Sequence, residues 1–173
     1  MSKHPDRYVL KAIALAVVFS MDLAQGQAQQ QAKIDIVADL IDLLPQGKTE
    51  HALSLAIRSP GVAGGMEKRA IFHHPASNPK ITTIKHQLHF PRFVGSETLF
   101  LSFGIGIADG ARFDRGEDGV TFFVEVDGNR LFERHWKTCE WEFHALDLAR
   151  FRGGSVALTL GVDSGSNNAH DWA

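Results

Sequence analysis

The sequence predicts an all-β domain, built as an antiparallel β-sandwich. Short runs that are apolar, or that alternate apolar with polar residues, follow one another through the second half of the chain, and breaks rich in Gly, Asp, Asn or Arg bound them. Their spacing of roughly 10 to 15 residues suits an all-β domain. A tight-turn signal, Asp127-Gly128, joins two of these runs. The predicted strands in this half are residues 99–108, 119–126, 130–136, 140–148 and 155–162.

Residues 1–28 are predicted to be a secretory signal peptide. Basic residues precede an apolar run at 12–21, and small residues follow it in a Gln-rich stretch. The run is shorter than the ~20 residues that a membrane-spanning helix requires. We therefore expect cleavage after Gly26 or Ala28, a Gln-rich linker at 29–33, a secreted or periplasmic protein, and no membrane contact after cleavage. An ordinary N-terminal helix is the alternative.

The segment after the linker fits two interpretations. Residues 34–40 are expected to form an opening strand because their β-branched start alternates with polar residues. Helical spacing is the other interpretation of residues 34–44, since it links Val37, Leu40, Ile41 and Leu44. Pro45 and Gly47 end the segment in either case. A short helix is expected at 50–57, and a turn-rich stretch follows at 59–65.

The pattern becomes regular again from residue 70. A short apolar run at 70–72 leads into a loop at 73–79, and a strand follows at 81–90. Alternation along that strand directs its even-numbered residues toward the core. These residues are Thr82, Ile84, His86, Leu88 and Phe90.

Composition limits the class of protein and its partners. A chain of 173 residues has room for one domain with a core plus one processed segment. The formal net charge is −2 and charges of both signs are interspersed, so nucleic acid is not an expected partner. The single cysteine, Cys139, leaves an exported protein no internal disulfide. Beside Trp141 and Phe143 it is expected to be a small packed hydrophobe rather than a reactive thiol.

A set of motifs in fixed order resembles the NPCBM family of carbohydrate-binding modules. They combine glycine-rich strand ends, one strand that reads Gly-Val-Thr-Phe-Phe-Val-Glu-Val-Asp-Gly, and a closing Asp-Trp-Ala. Their order and spacing carry the resemblance, which covers most of the chain after residue 34. The motifs are residues 59–62, 70–75, 103–110, 117–128, Trp141, Asp147-Leu148, the Gly-Gly turn 153–154, 156–162 and 171–173.

The resemblance implies a galactose-binding-like jelly roll over residues 34–173 and a non-catalytic module that binds a glycan or polysaccharide. It also implies attachment to a larger secreted enzyme, whereas no catalytic domain accompanies the module in this sequence. Family members with this ending continue past Asp-Trp-Ala for several residues that complete the last strand. We therefore expect that the final strand is truncated here or that the chain is a fragment.

The predicted glycan-binding surface follows from strand direction. Antiparallel strands alternate in direction, so loops that are separated by two strands share one end of the sandwich. The loops at 73–80, 108–118, 137–139 and 163–170 are predicted at one end, and those at 91–96, 127–129 and 150–154 at the other. The first end is richer in planar polar side chains that can bond vicinal sugar hydroxyls, and it has an aromatic ring for stacking. The candidate carbohydrate-binding residues are His73, His74, Asn78, Asp109, Arg112, Arg115, Trp136 and Asn167.

No cofactor is expected, with one alternative. A structural Ca²⁺ ion could bind where hard oxygen ligands cluster, at Asp109, Asp114 and Asp118. Trp141 and Trp172 lie within strand patterns and are expected in the core. The alternative to a glycan-binding surface is that these loops are solvated and bind nothing.

Catalytic motifs are not evident in the chain. The pattern Gly104-Ile-Gly106 lacks the third glycine of a dinucleotide fingerprint, because Asp109 stands at that position. His86 and His89 would lie on opposite faces of a strand and so would not chelate one ion together. No serine lies in a Gly-x-Ser-x-Gly elbow. We expect a protein that is not an enzyme; the alternatives are a structural or protein-interaction sandwich without sugar binding, and a small secreted hydrolase.

Overall fold

The computed structural model describes residues 7–12, 34–75, 81–90, 92, 98–111 and 118–165. These residues form β-strands and two short 3₁₀ turns, Leu44–Gln46 and Ala149–Phe151, and the described part of the chain contains no α-helix. The all-β prediction is therefore confirmed. The strands are β1 (Arg7–Ala12), β2 (Ile34–Asp39), β3 (Lys48–Glu50), β4 (Ala52–Ala63), β5 (Met66–Pro75), β6 (Ile81–His89), β7 (Thr98–Ile105), β8 (Val120–Val126), β9 (Asn129–Trp136), β10 (Glu142–Asp147) and β11 (Ser155–Asp163).

The strands form two larger sheets and one two-stranded ribbon. One sheet has the order β3-β6-β11-β8-β9, and every pair in it is antiparallel. The other has the order β10-β7-β1-β2, in which β10 is antiparallel to β7, whereas β1 is parallel to both β7 and β2. The ribbon is the antiparallel pair β4-β5. Antiparallel pairing therefore dominates, as predicted.

The two larger sheets pack against each other through a shared hydrophobic core. Strand β7 contributes alternate residues from one sheet, and β8 and β11 contribute theirs from the other. Burying a side chain of this size contributes about 1.5–3 kcal/mol, so this shared face is the main source of stability. The buried members are Leu40, Leu88, Phe90, Leu99, Leu101, Phe103, Ile105, Val124, Val126, Leu148, Val156 and Leu158.

Strand β6 confirms the predicted alternation. Thr82, Ile84, His86 and Leu88 are all buried, while the odd-numbered positions between them are exposed or half-buried. Phe90, directly after the strand, has no exposed surface. Side chains of successive strand residues point to opposite faces, so one face of β6 meets the core and the other meets solvent.

The turn between β8 and β9 also confirms its prediction. Asp127 and Gly128 both have positive φ, at 51° and 77°. This is the backbone that a type I′ turn needs, because its twist matches that of the flanking strands. The carboxylate of Asp127 also accepts a hydrogen bond of 2.8 Å from the Ala157 amide, which ties the turn to strand β11.

Three predictions fail in the ribbon β4-β5. The turn-rich stretch expected at 59–65 is wrong for residues 59–63, which belong to β4, and the turn is confined to Gly64 and Gly65. The helix expected at 50–57 is wrong, because most of that segment belongs to β4, which pairs along its length with β5. The loop expected at 73–79 is wrong for residues 73–75, which continue β5. Ile71 of β5 packs with Ile41, Leu44 and Ile84, so long-range burial decides this segment where local spacing suggested a helix. The opening strand expected from residue 34 is confirmed as β2.

Strand β1 lies within the segment that the sequence predicts to be a signal peptide. It occupies an inner position of its sheet, between β7 and β2. The signal-peptide interpretation of residues 1–28 stays a prediction. No helix in the described part of the chain is long and apolar enough to cross a membrane.

Candidate binding site at the loop end

Several loops between strands lie together at one end of the two packed sheets, here called the loop end. It comprises residues 64–65, 108–111, 118–119, 137–141 and 163–165. The Cys139 thiol donates to the Ala108 carbonyl at 3.5 Å. A Cβ added to Gly165 would approach the Asp118 Oδ2 atom to 2.7 Å, so these two loops are also in contact.

The opposite end gathers the other set of predicted loops. The Phe90 amide donates to the Gly154 carbonyl at 2.9 Å. Gly153 lies against Arg92, since an added Cβ would come within 2.5 Å of that side chain. The described loops therefore divide between the two ends as strand direction predicts.

Asp109 fixes the position of the β4-β5 turn at the loop end. Its Oδ1 accepts a hydrogen bond from the Gly64 amide at 2.7 Å, and its Oδ2 accepts one from the Gly65 amide at 2.9 Å. The Asp109 amide in turn donates to the Val62 carbonyl at 2.8 Å. Both glycines have positive φ, which side-chain-bearing residues rarely adopt. The Asp109 carboxylate therefore stabilises the turn, and only the lone pairs that these two hydrogen bonds leave free can accept a hydrogen bond from a ligand.

Trp136 lies at the end of β9, beside the loop end. Its indole Nε1 donates to the Glu140 carbonyl at 3.0 Å, and the Arg134 guanidinium lies 5.6 Å from the centre of its ring. The side chain is half-buried and packs against the shared core. The ring is thus held in one orientation, with part of its surface accessible.

Acidic residues at the loop end do not by themselves make a calcium site. Ca²⁺ takes six to eight oxygen ligands. Asp118 is half-buried beside Gly165, while both oxygens of Asp109 already accept backbone hydrogen bonds. Within the described ranges, no group of three or more His, Cys, Asp or Glu side chains could hold a metal ion. Asp114, the third predicted ligand, lies outside the described residues.

His73 and His74 lie in strand β5 rather than in a loop. The His73 side chain is 5% exposed and lines an apolar cavity of about 60 Å³ between the sheets, together with residues such as Ile84 and Phe103. Burial, and the charge of neighbouring His74, lower the pKa of His73 to about 4. Burial lowers the pKa of His74 as well, against a backbone hydrogen bond with Pro75. A buried and neutral His73 cannot contact a glycan at the surface.

Four of the predicted sugar-binding residues lie outside the described residues: Asn78, Arg112, Arg115 and Asn167. Of the predicted set, the structure thus brings Asp109 and Trp136 to the same end, and it places His73 in the interior.

Cys139 fits the predicted role of a packed residue. It is half-buried. Burial, and then the negative charge of Asp109, raise the pKa of its thiol. A raised pKa leaves less thiolate at neutral pH, and the thiolate is the reactive form of cysteine.

One contact near the loop end, between Trp141 and the β4-β5 ribbon, was not predicted from the sequence. Trp141 donates from Nε1 to the Met66 carbonyl at 3.0 Å, which joins the β4-β5 ribbon to the start of β10. Gly106 makes room for the Trp141 ring and Gly104 for the Phe143 ring, because a Cβ at either position would approach that ring to 3.0 Å. The two glycines therefore mark close packing. Trp141 itself is half-buried and lines a cavity of about 50 Å³, rather than being fully enclosed in the core.

No family model matches the chain, and a search of the curated proteins finds no match.

Proposed function

We propose that the protein is an exported, non-catalytic carbohydrate-binding module that recognises a glycan at the loop end. The proposal includes a galactose-binding-like jelly roll and membership of the NPCBM family, both of which rest on the sequence resemblance. The observation that carries it is the convergence at one end of loops from both sheets, around the carboxylate of Asp109 and the ring of Trp136.

The chemistry of this end suits weak recognition of sugars. Carboxylates and amide groups bond vicinal hydroxyls, and an aromatic ring covers the apolar face of a sugar. Trp136 keeps its orientation through the Glu140 carbonyl, so binding would not have to order it. Asp118 and Asp163 bring further carboxylates to the same end; the Asp163 Oδ1 atom accepts a hydrogen bond from the Gly165 amide at 2.9 Å.

A second candidate is a protein-interaction domain that binds no sugar. It is favoured by large apolar side chains that face solvent on the β4-β5 ribbon and on β10. Leu53 is 66% exposed and Phe143 is 42% exposed. Ile57 and Met66 are exposed on the same ribbon, and exposed large apolar side chains are a feature of contact surfaces when they form one patch.

The proposal predicts glycan binding that depends on the loop end. The protein is to be screened on a broad glycan array with and without Ca²⁺, together with the double variant Arg112→Ala, Arg115→Ala. We expect at least one class of glycan to bind the wild-type protein. Loss of two charged donors should weaken that binding by about 10-fold or more, since a hydrogen bond to a charged group contributes about 1.5–3 kcal/mol.

The matched control is Arg150→Ala, Arg152→Ala, which removes the same charge from the opposite end. Arg150 stacks on Phe151 there, with its guanidinium 4.7 Å from the ring centre. This control should bind glycans as the wild type does. A blank array from a folded protein would reject sugar recognition and favour the protein-interaction candidate. Equal losses in both double variants would reject the loop end as the site.

A further inference from the structure

Strand β1 occupies a slot between β7 and β2, two strands that do not pair with each other. It pairs in parallel with β7 from Arg7 opposite Thr98 to Ala12 opposite Phe103. On its other side it pairs in parallel with β2, from Arg7 opposite Ile34 to Lys11 opposite Asp39. Neighbouring strands lie about 4.8 Å apart, so β7 and β2 are separated by about 9.6 Å, too far for backbone hydrogen bonds between them.

The slot lies over the shared core. Leu99 and Leu101 of β7 have no exposed surface, and Leu40, directly after β2, has none either. An empty slot would leave the inner edges of β7 and β2 without partners and would open a path from solvent to these side chains. Buried backbone amides and carbonyls without partners are costly, and an open strand edge is a template for another strand.

The sequence places the strand that fills this slot inside the predicted signal peptide. Cleavage after Gly26 or Ala28 would remove β1. In the described part of residues 34–165, every other strand already belongs to a sheet or to the ribbon. None of them is left to replace β1.

We propose that the processed protein is a strand acceptor, which binds an extended segment of a second polypeptide between β7 and β2. The slot spans six residues, the length of β1. Its occupant must be extended along these residues and free of proline, because proline lacks the amide that a strand inside a sheet donates. It must also carry apolar side chains at alternate positions, since one of its faces covers the core.

Cleavage of the folded full-length chain tests this proposal. A specific protease site is placed within residues 20–26, the chain is cut after folding, and the N-terminal fragment is separated. The probe is a fluorescent peptide of residues 5–14. We expect the cut protein to bind this peptide in a saturable 1:1 complex and to regain the melting temperature of the intact chain, whereas the intact chain should not bind it.

The matched control peptide carries Val9→Pro. It should bind about 10-fold more weakly, since one inter-strand hydrogen bond contributes about 1 kcal/mol and the proline ring disturbs its neighbours. A second cut protein ends at Gly165. If only this shorter form binds the peptide, residues 166–173 fill the slot and the partner strand is rejected.

Two further outcomes would also decide whether the cut protein is a strand acceptor. A cut protein that keeps the melting temperature of the intact chain and ignores the peptide would show that the slot closes by itself, which overturns the proposal. If cutting unfolds the protein, as judged by circular dichroism, peptide present during the cut should prevent the unfolding. Unfolding that the peptide does not prevent would contradict the proposal.

Discussion

Replacing Gly161 by alanine is expected to destabilise the protein by about 3 kcal/mol, the upper part of the range for overpacking a tight site. Gly161 lies in β11, directly opposite Phe123 of β8. A Cβ at this position would lie only 2.0 Å from Cζ of the Phe123 ring. The ring occupies the space that a side chain would need, so one of the two residues must move.

The Phe123 ring has a charged side chain as its neighbour. The Arg130 guanidinium covers it, with a distance of 3.9 Å to the ring centre. Arg130 is held in turn by the Glu125 carboxylate at 2.9 Å and by the Glu133 carboxylate. The ring therefore has the backbone of one strand on one side and a charged side chain with its own partners on another.

The free energy of unfolding in urea measures the effect of Gly161→Ala, with the double variant Gly161→Ala, Phe123→Leu as the control. Phe123→Leu removes the ring that the new methyl group meets. The double variant should therefore lose clearly less stability than the sum of the two single variants. A Gly161→Ala protein within about 0.5 kcal/mol of the wild type, the usual effect of an ordinary surface substitution, would contradict the described packing.

Acidification is expected to destabilise the protein through His73. The ordinary pKa of histidine is 6.5, and burial lowers the pKa of His73 to about 4 in the folded state. Between these two pH values the unfolded chain binds a proton that the folded protein does not bind. The contribution of His73 to stability is thus complete above pH 6.5 and declines as the pH falls toward 4. The total loss is about 3 kcal/mol, since one pKa unit corresponds to about 1.4 kcal/mol.

The variant His73→Leu isolates this effect, because leucine is apolar and does not titrate. Urea unfolding at pH 7.5 and at pH 4.5 should show a smaller loss of stability in this variant than in the wild type, by about 2–3 kcal/mol. His89→Gln is the matched control, since His89 is exposed on β6. It should retain the wild-type loss. Equal losses in His73→Leu and the wild type would show that His73 is not buried and neutral in the folded protein.

The sequence predicted those elements whose local pattern and burial agree. Residues of strand β6 alternate between a buried and a solvent-facing side along its length, so the sequence pattern was sufficient to predict both the strand and its core face. The Asp127-Gly128 turn needs only local geometry. By contrast, β4 has mostly exposed or half-buried residues and no clear alternation. Its conformation depends on pairing with β5 and on the contact of Ile71 with Ile84, which no local spacing reveals.

In the candidate site, too, the residues placed by a simple rule were predicted and those placed by long-range contacts were not. Strand direction sufficed to assign Asp109 and Trp136 to one end. The hydrogen bonds from Gly64 and Gly65 to Asp109 join residues about 45 positions apart in the chain, and their sequence signal was only a glycine pair. His73 was misplaced because the predicted loop began at residue 73, whereas β5 continues through Pro75.

The central claim, that a glycan binds at the loop end, is tested most directly by nuclear magnetic resonance. An isotope-labelled protein is titrated with a glycan identified on the array, and shifts of backbone amides and tryptophan indoles are followed. We expect changes at the Gly64 and Gly65 amides and at the Trp136 indole, with none at Gly128 or Gly153 of the opposite end. Changes confined to the opposite end, or to the exposed apolar residues Ile57 and Phe143, would contradict the claim.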